Sequence, residues 1–190
     1  MKKILLVIFV LTLSCNKYNE SDQKVDKNQI ESMQLITLPG KLNWHSNPTT
    51  FKRELGIKFK THWDSDKYEK ILYFEGGGFV YTLSSLGMKV SAIRASFLKD
   101  DASNEKLVQL TIIAEEEYNN MKFALTRKYG APLDESFHNG EIRSMWIDNK
   151  KNGVAVSNTS EYNITIIYIH NDYNLMNKKR ELDISSNYKL

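Results

Sequence analysis

Three titratable residues that lie close together in the sequence are the first candidates for chemistry. His62, Asp64 and Asp66 follow one another at every second position. A histidine beside a carboxylate can act as a general acid or base. The same residues flank a turn, Asp64-Ser65-Asp66, and surface positions at a turn explain them equally well. A hydrolase site near His62, Asp64 and Asp66 is therefore an alternative to a non-catalytic role for these residues.

Metal ligation is a second use for these side chains. The sequence Asp64-Ser65-Asp66 begins like a calcium loop, but the third ligand, the following glycine and the distal glutamate are missing. His170 and Asp172 are also close in sequence, and they too can be surface residues beside a turn. Because no HExxH motif occurs among the four histidines, we predict no metal ion and no cofactor.

A run of three glycines is the next unusual feature. Gly76, Gly77 and Gly78 are followed by Phe79 and Tyr81. A phosphate-binding P-loop needs a Lys-Ser/Thr pair and a helix directly after the glycines, and here aromatic strand residues follow. Two readings remain: a flexible hairpin turn, or a mobile loop that presents Phe79 and Tyr81 to a binding partner.

The single cysteine, Cys15, ends a distinctive N-terminal segment. Lys2 and Lys3 precede an apolar run over residues 4–13, and Ser14 is the small residue before Cys15. A membrane-spanning helix needs about 20 apolar residues, and this run has about half that number. A charged start, a short apolar core and a small residue are typical of a secretory signal.

This segment resembles the lipobox of bacterial lipoproteins, with Thr12 standing where that family usually has leucine. The resemblance implies that residues 1–14 are removed and that Cys15 is acylated, with palmitate-type chains on its sulfur and amino group. Asn16 stands where an aspartate would resemble an inner-membrane retention signal, which favours the outer membrane and the periplasmic space. An ordinary signal peptide in which Cys15 is incidental is the alternative.

Composition limits the remaining function classes. The chain has 190 residues, of which 41% are apolar and 11% aromatic, enough to build a hydrophobic core. Without Lys2 and Lys3 it carries 24 basic and 23 acidic residues, a formal net charge of +1. A nearly neutral protein has no electrostatic basis for binding nucleic acid. If Cys15 is acylated, neither a disulfide nor a thiol nucleophile can form.

The organisation we predict has four parts. A signal peptide covers residues 1–14, and lipidated Cys15 begins a polar, flexible tether that reaches residue 33. One α+β domain covers residues 34–170. Residues 171–190 are polar, and either a weak helix or a loose C-terminal tail is consistent with their few apolar side chains.

Two helices are predicted within the domain. Asn47 can cap a helix whose first residue is Pro48, and Gly56 can end it, which gives a helix at about 48–55. A second helix is predicted at about 114–129, followed by Gly130, because apolar residues recur there at spacings of three and four. These residues are Ala114, Tyr118, Met121, Leu125 and Tyr129.

The rest of the domain is predicted to be β-structure. Strands are expected at residues 57–63, 70–75, 79–83, 88–98, 107–113, 142–148, 154–157 and 162–169, the last being central because it is the most apolar. A further strand region begins at Phe137, before an Asn139-Gly140 turn signal. Strands and helices do not alternate as in βαβ units. We therefore expect a mostly antiparallel sheet with both helices packed on one face. The order of the elements also hints at two related halves, each consisting of a helix followed by strands.

These observations predict a lipid-anchored, non-catalytic binding protein of the cell envelope with an unknown ligand. Its contact with the membrane would be made by the acyl chains at Cys15, and its partner could be another envelope protein. Residues 76–79 and Tyr81 form the candidate partner-binding loop. The alternatives are an envelope hydrolase near His62, and an immunity-type or assembly lipoprotein that binds a protein, for example through an exposed sheet edge.

Overall fold

The computed structural model describes residues 34–62, 65–99, 104–138, 140–160 and 162–187. The predicted signal peptide, Cys15, the tether and Asp64 lie outside these residues. The elements follow in the order α1 (Pro48–Leu55), β1 (Lys60–Thr61), β2 (Glu69–Glu75), β3 (Tyr81–Leu83), β4 (Met88–Lys99), β5 (Glu105–Glu115), α2 (Tyr118–Tyr129), β6 (Asp134–His138), β7 (Glu141–Ile147), β8 (Gly153–Ser160), β9 (Asn163–Ile169) and α3 (Asp172–Asn187).

The strands form one antiparallel sheet, as predicted. Its strands are ordered β1-β2-β4-β5-β9-β8-β7-β6, and β3 also pairs with β4. Strand β9, the apolar segment 163–169, lies between β5 and β8 in the middle of the sheet. An apolar strand is favoured at this position because both of its edges are paired and its Ile164, Ile166 and Tyr168 side chains are buried.

The sheet consists of two halves with the same arrangement. In each half a helix is followed by an antiparallel meander that runs from the edge of the sheet to its centre. The last strands of the halves, β5 and β9, pair antiparallel over seven residue pairs from Gln109↔Ile169 to Glu115↔Asn163. The halves are therefore related by an approximate twofold axis, which agrees with the hint from the sequence.

One large hydrophobic cluster joins the two halves. It contains Phe51 and Leu55 from α1 and Leu125 and Tyr129 from α2. Buried side chains of the sheet complete it, among them Leu72, Val90, Ile93, Phe97, Leu110, Ile112, Trp146, Val156, Ile164 and Ile166. Burial of these apolar side chains is the main favourable contribution to folding.

The first helix forms as its local sequence predicts, and the second begins later than predicted. The Asn47 side chain accepts a hydrogen bond from the Thr50 N–H at 2.9 Å, and Gly56 ends α1 with a φ of 68°. Helix α2 begins at Tyr118 rather than near 114. Ala114 instead belongs to strand β5, where it pairs with Val90 of β4 on one side and with Ile164 of β9 on the other.

Two predicted strands are shorter than expected. Of residues 57–62, the part of the first segment that the structure describes, only Lys60 and Thr61 pair with β2. Ile57 and Phe59 instead pack as partly buried side chains against the hydrophobic cluster. In the segment 79–83 the strand begins at Tyr81.

The C-terminal segment contains a third helix rather than the loose tail that the sequence also allowed. Helix α3 covers Asp172–Asn187, and the side chain of its residue Met176 is fully buried. Arg180 donates hydrogen bonds to Asp66 and Glu69, both at 2.9 Å. Of the helices within the described ranges, none has the length and apolar character that a membrane crossing requires.

Candidate functional site: an exposed aromatic excursion

Residues 76–81, here called the aromatic excursion, leave the sheet and return to it. Strands β2 and β3 lie in line, since both pair antiparallel with β4. Glu75 pairs with Ala92 and Tyr81 pairs with Val90, so one residue of β4 lies opposite the five residues 76–80. The glycine run is therefore an insertion within one strand line, and not a hairpin turn between two antiparallel strands.

Backbone contacts fix both ends of the excursion. At its start the Gly76 N–H donates to the carbonyl oxygen of Ser91 at 2.8 Å, and at its end Tyr81 pairs with Val90. Between them, the Phe79 N–H donates to the Gly76 carbonyl oxygen at 3.1 Å. A Cβ atom at Gly76 would lie 2.2 Å from the Phe79 carbonyl oxygen. Only glycine fits this close backbone approach, which explains the first glycine of the run.

The excursion exposes a set of large apolar side chains. Phe79 is 72% exposed, and Val80 and Tyr81 are each 43% exposed. Most large apolar side chains of the described chain are buried, so three adjacent exposed ones form an unusual surface. Contiguous exposed apolar groups of this kind are typical of interaction sites.

Aromatic rings connect this surface to the core. Tyr81 packs edge-on against Phe74 with ring centroids 5.2 Å apart, and Phe74 contacts Phe59 at 6.3 Å. Phe59 contacts Phe51 at 5.1 Å, and Phe51 contacts the fully buried Phe97 at 5.5 Å. Edge-on aromatic pairs are stabilising beyond their buried area. The aromatic excursion is thus connected through Tyr81 to packed side chains of the core.

The excursion carries no charge of its own. Residues 76–88 contain no Asp, Glu, Lys or Arg, although 26% of the chain is charged. The charged residues at the two ends of this segment are Glu75 and Lys89, and Lys89 forms an exposed ion pair with Glu115 at 3.6 Å. The surface of this segment is therefore apolar and hydrogen-bonding rather than charged.

The residues of the hydrolase alternative have structural contacts. The His62 ring packs edge-on against Tyr73, with centroids 5.3 Å apart. Asp66 accepts hydrogen bonds from the N–H groups of Tyr68 and Glu69, both at 2.8 Å, and from Arg180. Burial alone would raise the pKa of Asp66, but these N–H groups and Arg180 outweigh it and lower the pKa.

His170 and Asp172 are brought together, at the start of α3. The Asp172 N–H donates to Nδ1 of His170 at 3.2 Å, and Lys106 contacts the Asp172 carboxylate at 2.5 Å. The His170 ring also packs on Trp44 at 5.2 Å. Because Nδ1 accepts a backbone hydrogen bond, this histidine serves to cap the helix.

Other concave or ligand-like features are weak in the described part of the chain. Within it, no group of three or more His, Asp or Glu side chains is arranged to hold a metal ion. A shallow depression on α2 is lined by Phe123, Ala124, Arg127 and Lys128. It is formed by a single helix face and gathers no acid–base pair.

Comparisons with known proteins give no family. The sequence matches no protein-family model, and no significant match is found among curated proteins or solved structures.

Sequence reasoning identified Phe79 and Tyr81 but missed the exposed Val80 between them. It also missed Phe137 and Ile142, which are 73% and 42% exposed. The sequence predicts a strand beginning at Phe137 and a turn at Asn139-Gly140, of which Asn139 lies outside the described residues, but it does not predict that Phe137 and Ile142 are exposed.

Proposed function

We propose that the protein is a lipid-anchored, non-catalytic binding protein of the cell envelope, and that it binds another envelope protein through the aromatic excursion. The observation that carries this proposal is the 72% exposure of Phe79 on a segment fixed at both ends. A preorganised aromatic surface gives affinity because little conformational entropy is lost when the partner binds. Lipid anchoring rests on the lipobox-like residues 11–15.

We also infer that α1 and α2 share one face of the sheet and that α3 covers part of the other face. In β2, Leu72 belongs to the cluster that includes α1 and α2, whereas its neighbour Ile71 is buried outside this cluster. Alternate strand residues point to opposite faces. Arg180 of α3 bonds to Glu69, which lies on the same side as Ile71.

A site-specific photocrosslinking experiment tests the binding surface. A photoreactive phenylalanine analogue at position 79 should give one discrete protein adduct in intact cells. The same analogue at Phe123, which is 64% exposed on α2, should not give this adduct. Adducts that are identical from both positions, or none from position 79, would contradict the proposal.

Metabolic labelling with a fatty acid tests the anchor independently. The wild-type chain should incorporate the label, and the Cys15→Ser variant should not. Equal labelling of both chains, or an unlabelled and unprocessed wild-type chain in the cytosol, would exclude the lipoprotein interpretation without affecting the description of the excursion.

A further inference from the structure

The strand β6 is an open edge of the sheet. Among the residues that the structure describes, it pairs only with β7, and it ends the strand order. Residues 134–137 of this strand are all exposed. The opposite edge, β1, has only two residues. Along β6, about every second residue directs its backbone N–H and C=O away from β7, where a further strand could pair with them.

A network of side chains holds β6 in place against α2. Lys122 forms an ion pair with Glu135 at 2.6 Å. Ser144 lies 3.4 Å from the same carboxylate and 2.7 Å from the Tyr118 hydroxyl. Glu135 and Ser144 are directly opposite each other in the β6–β7 ladder. The edge is thereby fixed in an extended form before any partner arrives.

An exposed apolar pair lies on the same two strands. Phe137 and Ile142 are directly paired across β6 and β7, and they are 73% and 42% exposed. Apolar side chains that are directly opposite each other contact and stabilise the two strands. Here the apolar surface continues to the open edge, so a strand added there could cover it with alternate side chains.

The charges around this edge indicate which partner would fit. Asp134, Glu135 and Glu141 are exposed carboxylates on β6 and β7. Within the described residues, Asp134 and Glu141 form no ion pair, and Lys122 compensates only Glu135. Two copies of β6 would bring like charges together, which disfavours self-pairing. A strand with basic side chains would instead be attracted.

We propose that β6 binds an extended segment of another protein, with alternating apolar and basic side chains, as an additional strand of the sheet. Backbone hydrogen bonds to β6 supply affinity in this mode of recognition, and the side chains supply specificity. The basic residues meet Asp134 and Glu141, and the apolar residues cover Phe137 and Ile142. This site is separate from the aromatic excursion and does not depend on it.

Fluorescence anisotropy with defined peptides tests the proposal on the full-length chain in detergent micelles. A labelled peptide of alternating valine and lysine should bind, and a valine–glutamate peptide should bind at least about tenfold more weakly because its charges are repelled. A valine–lysine peptide that is N-methylated along one edge should also lose at least about tenfold in affinity, because it cannot complete the ladder.

Two protein variants locate the site. Asp134→Lys combined with Glu141→Lys should reverse the preference between the two peptides. The matched control, Glu54→Lys combined with Glu181→Lys, makes the same charge change at a distance from β6 and should leave the preference unchanged. Hydrogen exchange should slow at residues 134–138 when the valine–lysine peptide binds, and not at residues 60–61.

Several outcomes would overturn the inference. Equal binding of the N-methylated peptide would exclude strand addition, and an unchanged preference in the Asp134→Lys/Glu141→Lys variant would exclude this edge. Self-association that protects residues 134–138 would identify a second copy as the occupant. Since Phe79→Ser should leave peptide binding intact, failure at this edge and failure of the excursion proposal can be told apart.

Discussion

At the scale of single residues, Arg180 connects α3 to the loop before β2. Its guanidinium contacts the carboxylates of Asp66 and Glu69, and the Glu69 side chain is only 5% exposed. Arg180→Ala leaves a buried carboxylate without its partner, so we expect a loss of about 2–3 kcal/mol in unfolding free energy, after allowance for the partial exposure of Asp66. Urea denaturation measures this loss.

A surface arginine provides the matched control for this change. Arg53 pairs with Glu54 at 3.3 Å, but its side chain is 70% exposed. Arg53→Ala should therefore cost less than about 0.5 kcal/mol, as exposed ion pairs contribute little. Equal losses in the two variants would show that α3 is not held by the Arg180 contacts.

The surroundings of His170 predict that stability depends on pH. Burial lowers its pKa; Lys106 and His45 act in the same direction, and Asp172 and Asp148 oppose them. Because the folded state binds the proton less readily than the unfolded state, stability should decline as pH falls below about 6.5. The decline ends once the pH is below the lowered pKa of the folded state.

Denaturation midpoints measured between neutral and mildly acidic pH test this expectation. The His170→Gln variant keeps a hydrogen-bond acceptor for the Asp172 N–H but has no group that titrates in this range. Its stability should therefore change less over the same interval than that of the wild type. An identical pH profile in the two chains would show that another group controls the dependence.

At the scale of elements, the chain before α1 packs closely on the turn between β3 and β4. Gly40 has a φ of 64°, and a Cβ atom there would lie 2.0 Å from the Ser85 carbonyl oxygen. Gly56 has a nearly equal φ of 68° with open space around it. Gly40→Ala should thus cost about 1–3 kcal/mol more than Gly56→Ala, since both share the left-handed strain and only one has the contact. Thermal or urea denaturation of the two variants gives this difference directly, and equal costs would mean that the segment moves away from the turn freely.

The elements that the sequence predicted well are those with local signals. Helix α1 is bounded by Asn47, Pro48 and Gly56, and all three act within one turn of the helix ends. The start of α2 was misplaced because Ala114 fits both the helical spacing and the strand alternation of β5. Pairing with Val90 and Ile164 decides between them, and those contacts are distant in sequence.

The same distinction applies to the candidate sites. The glycine run and the aromatic residues after it were visible in the sequence, but a hairpin and an insertion look alike until the pairing with β4 is known. The role of Asp66 depends on Arg180, which is 114 residues away. The open edge at β6 depends on the order of all the strands, so no local pattern could have shown it.

At the scale of the whole molecule, the pairing of β5 with β9 joins the two halves into one cooperative unit. Ile112 and Ile166 are directly paired at this seam, and both are fully buried. Ile166→Ala should lower the unfolding free energy by about 2–5 kcal/mol, because it opens a cavity where the halves meet. Hydrogen exchange should accelerate in β2 and β4 of the first half as much as in β7 and β8 of the second.

Ile142→Ala is the control: its side chain is 42% exposed, so truncation should cost less than about 1 kcal/mol of unfolding free energy. If Ile166→Ala accelerated exchange in the second half alone, the halves would be independently stable units, and the approximate twofold axis would describe geometry without shared cooperativity.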